Sequence, residues 1–103
     1  MRLNELSKKA YIQAHKNGFY DHAILDPDVS TILLKLLLIN GEVAEAVEVL
    51  HKSQGSERLH EELADIMIRL LDLMGYVQMD VESVVEKKME YNSTRPYRHG
   101  KAF

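Results

Sequence analysis

Apolar side chains recur at helical spacing through most of this chain. Leu33, Leu36, Leu37, Ala44, Val47 and Leu50 form one series, and Leu63, Ile66, Met67, Leu70 and Met74 form a second. Steps of three and four place such residues on one face of an α-helix, whereas a strand needs alternation by two. No segment reads as a strand, so the fold class expected is all-α. Local punctuation divides the chain into four helices. The first runs from about residue 3 to 17, with Gly18 as its C-terminal stop. A loop over residues 19–26 follows. Asp26 is expected to cap the second helix, with Pro27 at its first position and Asp28 in the first turn. That helix reaches about Lys52. Gly55 and Ser56 mark a tight turn, with Ser56 capping a third helix that ends near Met74 and stops at Gly75. Asp80 caps a fourth helix reaching Tyr91 or Asn92, and Pro96 disfavours helix at Arg95. The short link between the second and third helices predicts a central antiparallel pair.

A length of 103 residues makes one domain, 1–103, in which 93–103 reads as a basic irregular tail. A domain this small buries only part of its surface. Its second helix is also apolar almost all round between Ile32 and Ile39, where a monomer's surface helix would keep a polar side. Assembly through helices two and three into a helical-bundle homo-oligomer, a homodimer or homotetramer, is therefore expected. The absence of cysteine excludes disulfides and cysteine-ligated zinc. The most apolar run, 29–39, is interrupted by Lys35 and is shorter than the roughly 20 residues of a membrane span. No signal peptide is visible in the polar N-terminal stretch. These features predict a cytoplasmic protein without a membrane partner.

Net charge is −3, which gives no general reason to bind nucleic acid. Its distribution says more. Between Glu42 and Asp65 the acids are Glu42, Glu45, Glu48, Glu57, Glu61, Glu62 and Asp65, against Lys52 and Arg58. From Lys87 onward the balance reverses, with Lys87, Lys88, Arg95, Arg98 and Lys101 against Glu90. Glu42 and Glu45 lie three apart and so share a helix face; Glu62 and Asp65 repeat that spacing on the next helix. Measured from the turn at about 1.5 Å per residue, the four lie roughly 11 to 19 Å along their helices and are nearly level. Any one of them alone reads better as a solvent-facing acid on an amphipathic helix. As a set they flank apolar positions. Close carboxylates repel unless a cation sits among them, and oxygen-only ligation suits magnesium or manganese.

The strings Gly41-Glu42-Val43-Ala44-Glu45 and Glu61-Glu62-Leu63-Ala64-Asp65 resemble the paired Glu-x-x-Glu and Glu-x-x-Asp motifs of MazG-like nucleotide pyrophosphohydrolases, of the all-α NTP pyrophosphatase superfamily. Lys88, Asn92 and Arg95 continue the resemblance as Lys-x-x-x-Asn-x-x-Arg, and so does the ending that begins at Arg95-Pro96-Tyr97. The resemblance implies a magnesium-dependent enzyme that cleaves a nucleoside triphosphate between its α- and β-phosphates, with manganese as an alternative cation. It carries over four metal ligands, Glu42, Glu45, Glu62 and Asp65. Gly41 stands where the family often has a further acid. Glu45, level with the midpoint of the opposing pair, is the candidate base. Lys88, Asn92 and Arg95 become candidate phosphate donors, and the alternative for them is a solvated basic helix end. A housecleaning role in the nucleotide pool is implied by analogy alone.

His15 and Phe19, with Tyr20 beside them, are aromatics placed to stack on a base, the other reading being a core Phe19 and an exposed His15. Asp72, two turns after Asp65, reads as a supporting acid or as an exposed one. Met67, Met74, Met79 and Met89 read as core filler. Two Glu-x-x-His strings, Glu48 to His51 and Glu57 to His60, sit too near the turn for a di-iron bundle site. A non-catalytic helical oligomer or interaction module is the competing expectation, and Gly41 is the feature that favours it.

Overall fold

The computed structural model describes residues 2–20 and 27–97. Among the described residues are four α-helices and no strand. They are α1 (Leu3–Lys16), α2 (Val29–His51), α3 (Ser56–Tyr76) and α4 (Val81–Ser93).

Three boundaries differ from expectation, each for a local reason. Asp28, not Asp26, caps α2. Its carboxylate accepts from the Thr31 N–H at 3.0 Å and the Thr31 hydroxyl at 2.8 Å, while its own N–H donates to the Tyr76 hydroxyl at 3.2 Å. Pro27 therefore precedes the helix, and Asp26 lies outside the described residues. At the next turn Gly55, not Ser56, occupies the capping position. Its φ of +94° is costly for a residue with a Cβ, so the turn takes glycine and forgoes a side-chain cap. Finally, α3 runs through Gly75 instead of stopping there. A Cβ at Gly75 would lie 2.8 Å from Tyr11 Cβ and 2.9 Å from the Ser7 carbonyl oxygen. This glycine lets α1 cross closely over α3, and the buried Ser7 hydroxyl donates to the Leu71 carbonyl at 2.7 Å beside it. Helix α4 includes Ser93; the irregular segment starts at Thr94, and residues 98–103, Arg98 and Lys101 among them, lie outside the described residues.

The core is aromatic and sits where α1, α2 and α3 meet. Tyr20, Leu73 and Tyr76 are buried, with Tyr11, Ala14, Ile32 and Ile39 packed against them. Helix α2 meets α3 in descending order: Asp28 touches Tyr76, Lys35 pairs with Asp72, and Glu42 pairs with Arg69. The inward side of α2 buries Thr31, Lys35, Ala46 and Val49. Leu33, Leu36, Leu37, Val47 and Leu50 of the apolar series face outward, as do Leu63 and Met67 on α3. Met67 and Met89 are thus exposed and do not fill the core. Helix α4 is tied to the start of α1 by Asn4, whose amide oxygen accepts from the Val81 N–H at 2.8 Å and whose amide nitrogen donates to Asp80 and Glu82. No helix among the described residues is long and apolar enough to cross a membrane.

Candidate metal centre

The two half-motifs meet. Three-residue spacing holds each acidic pair on one side of its helix, and packing of α2 on α3 brings the two sides together. One carboxylate oxygen from each of Glu42, Glu62 and Asp65 lies within 4.8 Å of the others. Glu45 is exposed at the edge of this group. Repulsion from Glu42, then from Glu62, holds its carboxyl above the usual glutamate range. That shift places Glu45 within reach of Glu42 and Glu62.

Glu62 is the deepest of the four, with 4% of its surface exposed. Its Oε1 accepts from Arg58 Nη2 at 2.7 Å, but its Oε2 is buried without a hydrogen-bond partner among the described residues. A buried carboxylate oxygen lacking a donor is costly, and a cation or a proton shared with the neighbouring Glu45 carboxyl would relieve it. Glu42 is half-buried and accepts from Arg69 Nε at 2.7 Å. Gly41 lies within α2 facing open space, since a Cβ there would meet nothing within 4 Å. A side chain at position 41 would have room.

A cavity of about 170 Å³ opens beside the acids, lined by Phe19, Glu42, Asp65, Ile68, Arg69 and Asp72, with α1 residues closing the other side. Phe19 is 42% exposed on this cavity, so it does not fill the core. His15 is also exposed, and its ring stacks on Tyr20 at 5.8 Å, away from the cavity lining. Of the two aromatics singled out from sequence, Phe19 alone is brought to the acids.

The basic trio is placed differently. Lys88 Nζ and the Arg95 guanidinium lie 4.9 Å and 5.7 Å from the Tyr91 ring centre on α4. Asn92 Oδ1 is buried without a partner among the described residues. No hydrogen bond or ion pair among the described residues joins Lys88 or Asn92 to the four acids.

Sequence reasoning missed the arginines and one buried pair. Arg58 stands four residues before Glu62 and three before Glu61, a spacing at which opposite charges meet on a helix, so that contact was readable. Arg69 reaches Glu42 across the helix pair, and no local spacing announces it. Lys35 Nζ lies 2.9 Å from Asp72 Oδ2, both side chains buried, which makes Asp72 an ion-pair partner and not an exposed acid. The Tyr20 hydroxyl donates to the other Asp72 oxygen at 2.6 Å. Burial first, and then this carboxylate, push the Tyr20 phenol well above its ordinary range. The chain matches no family model, no curated protein and no solved structure.

Proposed function

We propose that this chain is a magnesium-dependent nucleoside triphosphate pyrophosphohydrolase, releasing a nucleoside monophosphate and pyrophosphate. The observation that carries the reading is the convergence of Glu42, Glu62 and Asp65 within 4.8 Å, together with a buried Glu62 carboxylate oxygen that has no partner among the described residues. An all-carboxylate donor set fits a hard divalent cation, magnesium or manganese. Glu42, Glu62 and Asp65 would hold it, with Glu45 at the rim. When bound, such a cation supplies positive charge to phosphate oxygens and lowers the pKa of a coordinated water.

The remaining work falls to the chain's own groups. Water attacks the α-phosphorus, the bond from that phosphorus to the bridging oxygen breaks, and pyrophosphate leaves with the bridging oxygen. Glu45 accepts the proton released by the attacking water. Its exposed position at the edge of the acids suits that role, whereas Glu42 and Glu62 are already engaged by Arg69 and Arg58. Phe19, on the wall of the neighbouring cavity, offers a ring face to the base. Lys88, Asn92 and Arg95 would donate to the phosphates.

The same reading includes assembly. The α2–α3 pair is taken as an antiparallel hairpin whose outward apolar stripe, Val29, Leu33, Leu36, Val43, Val47 and Leu50, packs on a second copy in a homodimer or homotetramer. A cytoplasmic location and a housecleaning or pool-regulating role belong to the same reading, the role by analogy alone.

Incubation with magnesium, or manganese, and a panel of nucleoside triphosphates tests the chemistry. Monophosphate plus pyrophosphate is the expected product pair. Orthophosphate release indicates a different cleavage. No turnover across the panel favours the second reading, a non-catalytic helical oligomer, which the missing acid at Gly41 supports. Glu45→Gln and Asp65→Asn are each expected to lower turnover by about 100-fold or more while circular dichroism stays helical. Full activity in both variants removes the site.

A further inference from the structure

We infer that Arg69 serves two partners in turn: it pairs with Glu42 while the cation is absent, and it binds a phosphate of the nucleotide once Glu42 turns to the cation. The inference rests on the pyrophosphohydrolase reading and adds to it a residue outside the acidic motifs. Arg69 Nε lies 2.7 Å from Glu42 Oε1, so one of the three acids that converge is already engaged. A guanidinium and a divalent cation repel each other, so both cannot hold Glu42 at full strength. The guanidinium has five N–H donors in a planar fork, and its bond to Glu42 uses one.

Position separates Arg69 from the other cations of the α2–α3 groove. Its side chain is 28% exposed and lines the cavity that also holds Asp65 and Phe19. Its guanidinium carbon lies 5.7 Å from the Phe19 ring centre, a contact that steadies the head group at the cavity wall. Arg58, by contrast, already bridges Glu61 and Glu62, and it lines a separate depression with Glu45 and Lys52. Lys35 is buried on Asp72. Arg69 therefore combines remaining donors with an open space beside the acids. Its planar fork matches phosphate oxygens. It also supplies, from within one chain, a cationic group beside the acids, to which Lys88 makes no hydrogen bond or ion pair among the described residues.

Two titrations by calorimetry separate this role from a merely structural one. The first adds Mn²⁺ alone to metal-free protein; the second adds imidodiphosphate at saturating Mn²⁺. Arg69→Met is expected to bind Mn²⁺ about two- to fivefold more tightly, because a competing ion pair is gone. It is expected to bind imidodiphosphate about tenfold or more weakly, because a charged hydrogen-bond donor is gone. Opposite signs in the two titrations are the signature; a structural role lowers both. Arg69→Lys keeps the charge but loses the fork, and should weaken imidodiphosphate without weakening Mn²⁺, which keeps the test open if the Met variant fails to fold. Unchanged imidodiphosphate affinity, or a fall in both affinities, overturns the assignment. Wild-type protein that takes up no Mn²⁺ removes the pyrophosphohydrolase reading itself, a result distinct from either.

Discussion

Two levels of the α2–α3 groove each bring charged side chains together, and they are solved in opposite ways. Lys35 lies seven residues before Glu42 on α2, and Asp72 lies seven after Asp65 on α3, so the levels are about two turns apart. At the first level the account closes. Lys35 Nζ donates to Asp72 Oδ2 at 2.9 Å and stands 4.0 Å from the Tyr20 ring centre, and Tyr20 donates to Asp72 Oδ1. Both oxygens of the carboxylate have a partner and the charges cancel. At the second level they do not. Glu42, Glu62 and Asp65 converge, arginines engage Glu42 and Glu62 from the sides, and Glu62 Oε2 is left without a donor among the described residues. A closed pair needs nothing further and belongs to the fold. An open cluster beside a cavity carries an electrostatic demand that the described residues leave unmet.

The largest effect is expected from breaking the closed level. Lys35→Met leaves Asp72 buried without its cation and should destabilise the protein by about 3–5 kcal/mol. Urea denaturation followed by circular dichroism measures this. Adding Asp72→Asn to the same protein should restore most of the loss. The amide oxygen still accepts from Tyr20 while the uncompensated charge disappears. A loss below about 1 kcal/mol for Lys35→Met, the range of exposed pairs, would put the two levels on the same footing.

The open level should respond to metal instead of to mutation of a partner. Magnesium at a hundredfold excess over its dissociation constant should stabilise the wild type by about 2.7 kcal/mol, and should leave Asp65→Asn nearly unchanged. Thermal unfolding with and without magnesium reads both. Most of the gain should survive in Lys35→Met, because the two levels are about 10 Å apart and touch through the Phe19 ring, which both Lys35 and Arg69 approach. A wild type that shows no magnesium-dependent shift reduces the cluster to an ordinary acidic surface.

What sequence could and could not give follows the same division. Helical spacing, Gly18, Asp80 and the turn at Gly55 are local signals, and the four helices obey them. The acids of each half-motif share a face by spacing alone, and their convergence needed only the pairing of neighbouring helices. The inward side of α2 was harder. Both of its sides are rich in apolar residues, and the side turned inward carries Thr31 and Lys35. Lysine is buried here because Asp72, 37 positions away, neutralises it, and no local pattern carries that information. The same holds for Arg69 and Glu42, 27 apart, and for Gly75, whose role is set by Tyr11 and Ser7 of a different helix. Stop signals and close crossings use the same residue, so a glycine near a helix end is ambiguous until its neighbours are known.

The smallest effect tests whether Glu45 feels the open cluster. Repulsion from Glu42, then from Glu62, raises its carboxyl above the ordinary value of 4.5. A carboxyl raised on folding binds its proton more tightly in the folded state. Its contribution to stability is therefore fully present below 4.5 and is lost as the pH rises through the raised folded value. Asp28 has the opposite sign. Its bonds to Thr31 lower it from 3.8, so its contribution is present above that value and is lost as the pH falls through the lowered one. Comparing Glu45→Gln with wild type at a series of pH values removes the Asp28 term, which both proteins share. In metal-free buffer, wild type should lose stability relative to the variant across the window just above 4.5. Magnesium should cancel that difference or reverse it, because a cation among the acids turns repulsion into attraction. A difference that stays flat with pH in the absence of metal means that Glu45 stands apart from Glu42 and Glu62, and the open level then loses its fourth member.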